Sequence, residues 1–161
     1  MNRGFGGFLG LALAGVLLIG APVTGLAADS RESTGCPTRP QDGDYTAAMK
    51  AIDSDNFAAA IPLLEAVVAR DGTNADAYNS LAFAIRKSGD PARAIPIYQK
   101  ALAIDPKHRA AHEYIGEAYL ALNDVAKARE HLATLDRLCF LPCSQYRDLK
   151  KAIETYQARG R

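Results

Sequence analysis

Between residues 75 and 108 the apolar positions recur with the period of a helix, in two consecutive segments. In the first segment the residues of one face are Tyr78, Leu81, Ala82 and Ile85. In the second segment they are Ala94, Ile95, Tyr98, Ala101 and Leu102. Because residues three and four apart lie on the same side of a helix, each segment predicts an amphipathic helix with one buried face.

The residues between these segments predict a sharp turn. Gly89 suits the left-handed conformation that commonly ends a helix. Asp90 can cap the next helix, and Pro91 fits its first turn because the missing N–H would be unpaired there anyway. Asp105 and Pro106 end the second segment, since a residue before proline is disfavoured in the helical conformation. A hairpin of two antiparallel helices is therefore predicted.

The same pattern recurs about 34 residues earlier and later. Ala60 and Ala128 occupy the place that Ala94 holds in the middle segment. Three hairpins are predicted, at about 41–74, 75–108 and 109–142, and the first departs from the pattern at Asp44, where an aromatic residue is expected. One hairpin cannot bury its own apolar face, so the hairpins are expected to stack into a helical repeat array.

The pattern resembles the tetratricopeptide repeat. The residues that carry the resemblance in the middle hairpin are Tyr78, Leu81, Ala82, Ile85, Gly89, Asp90, Ala94, Tyr98, Ala101 and Pro106. The resemblance implies an all-α fold, a right-handed superhelical solenoid of three such helix hairpins plus a C-terminal capping helix. Tyr146, Leu149, Ile153 and Tyr156 recur at helical spacing and place that capping helix at residues 144–158.

The resemblance also implies a binding surface, because in this family the first helices of the hairpins line an inner groove. Carried over to this sequence, the groove places are Tyr45, Met49, Ile52, Asp53, Asp76, Asn79, Phe83, Arg86, Lys87, Ala110, Glu113, Glu117, Leu120 and Ala121. The residues predicted to form the protein-binding site are Met49, Asn79, Phe83, Arg86, Lys87, Glu113, Glu117 and Leu120. A protein or peptide is therefore the expected partner.

The chemistry of these groove residues favours a particular kind of peptide. Met49, Phe83 and Leu120 are expected to be exposed apolar groups. Beside Phe83, the charges of Arg86 and Lys87 favour a peptide with an apolar anchor and at least one acidic group. The alternative for Phe83 is that its ring only packs against the neighbouring helix. The Lys and Asn residues with which some family members clamp a C-terminal carboxylate are not reproduced.

The N-terminal residues 1–28 predict a signal peptide. Arg3 gives a positive start, and the apolar run at residues 8–19 is too short to span a bilayer comfortably. Small residues near Ala28 suit cleavage, which would leave a periplasmic or secreted chain that begins with a flexible lead-in at 29–43. The alternative is an uncleaved membrane anchor, which would make the protein a membrane-held assembly factor.

The sequence contains three cysteines, which could form a structural disulfide or a thiol-redox site. In an oxidising compartment Cys139 and Cys143 are expected to form a disulfide that pins the turn before the capping helix, with Cys36 left over. The alternative is a thiol-redox helper that uses the same pair. Thiol oxidoreductases place two residues between their cysteines, whereas three lie between these.

Charge and motif content narrow the function further. Lys and Arg total 19 against 18 Asp and Glu, so no basic excess favours nucleic-acid binding. The sequence contains no nucleophile elbow, phosphate-binding glycine loop or metalloprotease motif, so no enzyme activity and no cofactor are predicted.

His108 and His112 lie four residues apart, but a metal site needs further ligands and the nearby carboxylates Glu113 and Glu117 are expected on a solvated helix face. No metal site is therefore predicted, and His131 has no evident partner. The interpretation that these observations favour is a non-catalytic, exported scaffold that binds another protein.

Overall fold

The computed structural model describes residues 42–160, which form seven α-helices and, within that range, no β-strand. The helices are α1 Gly43–Asp53, α2 Phe57–Arg70, α3 Ala75–Lys87, α4 Pro91–Ile104, α5 Arg109–Ala121, α6 Val125–Leu138 and α7 Ser144–Ala158. None of these seven is both long and apolar enough to cross a bilayer. The predicted signal peptide, nearly all of the predicted lead-in, and Cys36 lie outside the described residues.

Side-chain caps set the start of most helices. Asp90 accepts a hydrogen bond from the backbone N–H of Arg93 at 2.9 Å and opens α4. His108 does the same for α5 with its ring Nδ1, which accepts from the N–H of Ala111 at 3.1 Å. Asp42 caps α1, so the first helix begins inside the last residues of the predicted lead-in. Each cap pairs a backbone donor that the helix itself leaves unpaired.

The turn inside each hairpin uses one residue with a positive φ angle. Gly89 has φ +98° in the middle hairpin, and Asp55 and Asn123 have φ 55° and 64° at the corresponding places of the first and third. Glycine adopts this conformation freely, and Asp and Asn tolerate it better than other residues with a side chain. All three hairpins therefore turn in the same way with different residues.

Small residues let the paired helices approach each other. Ala60, Ala94 and Ala128 are fully buried at equivalent places of the second helices. The large buried side chains that complete the core are Leu64, Ile85, Tyr98, Ile115, Leu135 and Leu149. The predicted all-α repeat fold is confirmed, with a core that runs continuously along the array.

Helix α7 covers the end of the array. It packs against α5 and α6 and buries Leu149 and Ile153. The two helices approach closely at Gly116 of α5, where an added Cβ would lie 2.7 Å from the methyl groups of Leu149. Glycine at this place in α5 therefore allows α7 to sit where the first helix of another hairpin would follow.

Candidate protein-binding groove

Two cavities lie on the surface made by the first helices of the hairpins and α7. The first, here called the aromatic cavity, has a volume of about 190 Å³ and lies between α1, α3 and α5. Its wall includes Met49, Ile52, Asn79, Phe83, Ala110 and Tyr114. The second, here called the C-terminal cavity, has a volume of about 580 Å³ and lies between α5 and α7. Its wall includes Glu117, Leu120, Asp148, Lys151, Tyr156 and Arg159.

Phe83 lies in a row of aromatic rings, and Phe83 and Tyr114 of that row line the aromatic cavity. Its ring centroid is 4.9 Å from that of Tyr114 and 6.1 Å from that of Phe57. Both expectations for Phe83 therefore hold in part, because the ring packs against neighbouring helices and still lines the cavity. Contacts of this geometry fix the ring in place, so Phe83 presents a rigid apolar wall.

Asn79 and Ser80 are polar residues in that wall, and Asn79 differs from Ser80 in having no hydrogen-bond partner in the described part of the chain. Asn79 is 9% exposed, and its side chain makes no hydrogen bond to any other described residue. Its Oδ1 is fully buried without a donor. A buried polar atom in this state costs about 1–3 kcal/mol, which a ligand that supplies a hydrogen bond would recover.

Two of the predicted apolar groove residues, Met49 and Leu120, differ in how exposed they are. Met49 is half-buried and lines the aromatic cavity, as predicted for a groove residue. Leu120 was expected to be exposed, but it is 7% exposed. The reason is α7, which packs against α5 and leaves Leu120 in the wall of the C-terminal cavity rather than open to solvent.

The predicted pair of open positive charges is wrong for Arg86. Its guanidinium lies 2.8 Å from the Glu117 carboxylate and 5.4 Å from the centre of the Phe83 ring. Its Nε donates to the Tyr98 hydroxyl at 3.4 Å, and the side chain is 15% exposed. Lys87 is exposed, with its ammonium 5.8 Å from the Phe57 ring. The pairing with Glu117 across hairpins removes most of the positive field that the sequence predicted beside Phe83.

Glu113 does not lie on a solvated helix face. It is 8% exposed and has no hydrogen-bond or ion-pair partner within residues 42–160. Burial, together with the carboxylates of Glu117 and Asp148, raises the pKa of Glu113 to about 7, although Arg86 acts in the opposite direction. A carboxyl group is thus held in the groove without the cation that normally accompanies a buried charge.

The histidines form a hydrogen-bonded pair instead of a metal site. The Nδ1 atoms of His112 and His131 are 2.9 Å apart, and His112 Nε2 lies 3.1 Å from the carbonyl of Pro106. The expectation that His131 has no partner is therefore wrong. Burial lowers the pKa of both rings, that of His131 to about 4. His108 caps α5 and contacts Asp76 at 3.1 Å.

Residues 42–160 contain no group of three or more potential metal ligands. The described histidines are therefore occupied by capping and by pairing with each other.

The cysteine pair lies in the connection between α6 and α7. The structure pairs Cys139 with Cys143, with Cα atoms 5.8 Å apart, and Cys143 is the N-cap residue of α7. Between them Phe140 and Leu141 are exposed, at 102% and 74%. The pair thus sits where it ties the third hairpin to α7, far along the chain from Asn79 and Phe83.

Sequence reasoning missed the contributions of Tyr114 and of α7. Tyr114 falls one repeat after Ser80, next to the groove place of Glu113, so its position gave a usable signal. Continuing the repeat period from Glu117 leads to Lys151 on α7, which lines the C-terminal cavity. This wall of the groove could therefore have been predicted by extending the repeat period into the capping helix.

Two family models, both described as tetratricopeptide repeat, match this chain. One matches residues 45–108 and the other matches residues 86–153. Together they run from α1 into α7 and span more than half of the chain. Comparison with curated proteins gave no match.

Solved structures with the same fold include MamA from Desulfovibrio magneticus RS-1. That structure is 28% identical, with a TM-score of 0.57, and the match covers 59% of this chain and 54% of that one. The chain thus spans little more than half the length of the MamA structures that it matches.

SycD from Yersinia enterocolitica, a type III secretion translocator chaperone, is 17% identical with a TM-score of 0.66, over 73% of this chain and 83% of that one. SycD in complex with a peptide of the translocator YopD is 16% identical with a TM-score of 0.63, over 73% and 92% of the two chains. At these identities the likeness to SycD shows the fold alone.

Proposed function

The chain belongs to the tetratricopeptide repeat family, and on that premise we propose that it is a non-catalytic scaffold whose groove binds a segment of another protein. The observation that carries the proposal is Asn79, a buried amide without a hydrogen bond in the wall of an aromatic cavity. An extended peptide carries unpaired backbone N–H and C=O groups at regular intervals. Rotation of the Asn79 amide about its last bond offers such a backbone either an acceptor or a donor.

The aromatic cavity supplies the apolar half of this recognition. The ring centroids of Phe83 and Tyr114 are 4.9 Å apart, and Met49 adds a more adaptable side chain to the wall. A volume of about 190 Å³ suits one apolar side chain rather than a folded element. A peptide that places one apolar residue here and one backbone group on Asn79 would use both features.

The structural relatives support the same kind of partner. SycD, which shares this fold, holds a peptide of the translocator YopD. The partner proposed here is likewise a protein segment. The predicted signal peptide at residues 1–28 supports a periplasmic or secreted location after cleavage, with membrane contact limited to that segment if it is retained.

A thiol-redox role is the second candidate, favoured by one observation. Cys143 is the N-cap residue of α7, and a helix N-terminus stabilises a thiolate. The structural role remains the proposal, because the pair joins two elements that pack together. Titration of reduced Cys143 separates the two, since a thiol pKa well below its usual range is expected for the redox role alone.

The groove proposal can be tested with a displayed library of random peptides and the full chain. Asn79→Leu keeps the size of the side chain but removes its polar atoms. Binding of selected peptides, measured by fluorescence anisotropy, should weaken about tenfold, because a hydrogen bond is lost. The same substitution should raise the free energy of unfolding by about 1 kcal/mol, since it removes an unpartnered buried group.

The matched control is Ile104→Ala. Ile104 is 39% exposed at the end of α4 and lines neither cavity. This variant should bind the selected peptides like the parent. If Asn79→Leu also binds like the parent, the aromatic cavity is not the binding site and the proposal is wrong.

A further inference from the structure

The groove face of α5 connects the two cavities. Ala110 and Tyr114 line the aromatic cavity, and Glu117 lines the C-terminal cavity. Glu113 lies between them in the helical sequence, at the spacing that places all four residues on one side of α5. A segment that occupies both cavities therefore passes over Glu113.

Glu113 lacks a compensating group in the free protein. The residue is 8% exposed, and no described side chain pairs with its carboxyl group. Burying a carboxylate is expensive unless a cation or several hydrogen bonds accompany it. A buried, unpartnered carboxyl group beside a cavity points to a ligand that brings its own positive charge.

The charges around Glu113 favour a cation more than an anion. Arg86, on α3, is held by Glu117 at 2.8 Å. Asp148, on α7, forms no ion pair among the described residues and faces Glu113 closely enough to raise its pKa. Lys151 and Arg159 also line this cavity, but both are exposed, and neither is paired with these acids or shifts the pKa of Glu113. Around Glu113 itself, three carboxyl groups therefore lie beside one guanidinium, which is already paired with Glu117.

We propose that the groove surface at Glu113, beside the C-terminal cavity, seats a lysine or arginine side chain of the bound segment, with Glu113 and Asp148 as its acceptors and Glu117 beside them. This inference rests on the proposed function, because the basic residue belongs to the same segment whose apolar residue fills the aromatic cavity. The partner is thus a protein segment that combines one apolar and one basic side chain. It replaces the acidic peptide that the sequence favoured, since Arg86 is already neutralised.

Binding of a basic side chain at Glu113 should depend on pH. Binding a cation requires the carboxylate form of Glu113, whose pKa is about 7. The groups that face it are Glu117 and Tyr114 on α5, Asp148 on α7 and Arg86 on α3. Lysine and arginine keep their charge across this range. Affinity for a basic peptide should therefore rise between pH 6 and pH 8.

The experiment uses the full chain and a set of acetylated, amidated peptides. Each peptide contains one leucine, and each neighbouring position in turn holds Lys, Arg, Gln or Glu. Fluorescence anisotropy at pH 8 should show, at one position, at least tenfold tighter binding of Lys or Arg than of Gln. Glu113→Gln and Asp148→Asn should each reduce this preference below threefold, and Glu113→Gln should also remove its increase with pH.

The matched control is Glu154→Gln, which removes an exposed carboxylate of α7 that lines neither cavity. It should keep the full preference for a basic residue. A preference for Glu over Gln would overturn the proposal, because it would mean that Arg86 and Lys87 recognise the charge of the peptide.

The remaining outcomes separate this inference from the proposed function. Binding that depends on leucine and on Asn79 but not on peptide charge would overturn the inference alone. If no peptide binds, both are wrong. Self-association that the peptides displace, seen by sedimentation, would make a second copy of the chain the occupant and overturn the inference.

Discussion

The second and third hairpins offer the same places of the repeat to the groove with different chemistry. Asn79 and Glu113 occupy one such place and are equally buried, at 9% and 8%. Phe83 and Glu117 occupy the next, where an aromatic wall is replaced by an ion-paired carboxylate. The repeat thus fixes where a side chain lies, whereas the residue itself decides whether a place recognises an apolar or a charged group.

The two hairpins also differ in what covers them. The second hairpin is flanked by hairpins on both sides, while the third depends on α7. Because α7 takes the place of a further first helix, it covers Leu120 and brings Asp148 close enough to raise the pKa of Glu113. The acidic surroundings of Glu113 are therefore a property of α5 and α7 together.

The largest expected effect on stability comes from weakening the packing of α7 against the third hairpin. Leu149 is fully buried against Gly116, so Leu149→Ala should lower the free energy of unfolding by about 2–5 kcal/mol. Urea denaturation followed by circular dichroism measures the change. Leu122→Ala is the control, since Leu122 is 42% exposed, and its effect should stay below about 1 kcal/mol. Equal effects of the two variants would mean that α7 does not stabilise the third hairpin.

The next effect concerns the link between the third hairpin and α7. Replacing both cysteines, Cys139→Ser with Cys143→Ser, should lower stability by about 2 kcal/mol, because a short closed loop constrains the unfolded chain only modestly. Peptide binding should persist, since neither cysteine lines the aromatic cavity or the C-terminal cavity. Thiol titration of the native chain should find Cys36 reactive. Cys36 joined to either partner in a peptide map of the monomer would contradict the pairing.

A smaller expected effect is a pH-dependent change in stability, which Glu113 can cause and the uncharged Asn79 cannot. The folded pKa of Glu113, about 7, exceeds its ordinary value of 4.5, so the folded state binds more protons between these values. Its contribution to stability is complete below pH 4.5 and is lost as the pH rises through 7. Glu113→Gln should therefore stabilise the protein at pH 8, by on the order of 1–2 kcal/mol, and much less at pH 4.5.

The comparison of that variant with the parent isolates Glu113 from the histidines. The pKa of His131 is lowered to about 4, so its contribution has the opposite sign and is lost as the pH falls. This histidine is the same in both proteins, so the difference between their unfolding curves at each pH reports Glu113. A difference that does not change with pH would show that Glu113 titrates as an ordinary exposed residue.

The fold followed from the sequence because it depends on local and periodic signals. The hairpin turn at Gly89, the cap at Asp90 and the recurring alanines each act through the backbone or the repeat itself. The position of Asn79 and Phe83 in the groove followed from the same register. These features need no knowledge of which side chains meet between hairpins.

The electrostatics of the groove did not follow, because they depend on contacts between hairpins. The sequence alone does not say that Arg86 reaches Glu117, nor that His131 meets His112. Asp148 comes near Glu113 because α7 packs closely on α5, which Gly116 permits. Sequence patterns place such residues on a face, while their charge state is set by the neighbour that covers them.

The exposed turn between the two cysteines has a consequence for limited proteolysis. A chymotrypsin-like protease attacks exposed aromatic residues in loops, and Phe140 is such a residue, while Pro142 disfavours cleavage after Leu141. Because the cut lies inside the ring that Cys139 and Cys143 close, the two fragments stay covalently joined. The nicked protein should migrate as one chain until a reducing agent releases α7, with a mass increased by one water molecule.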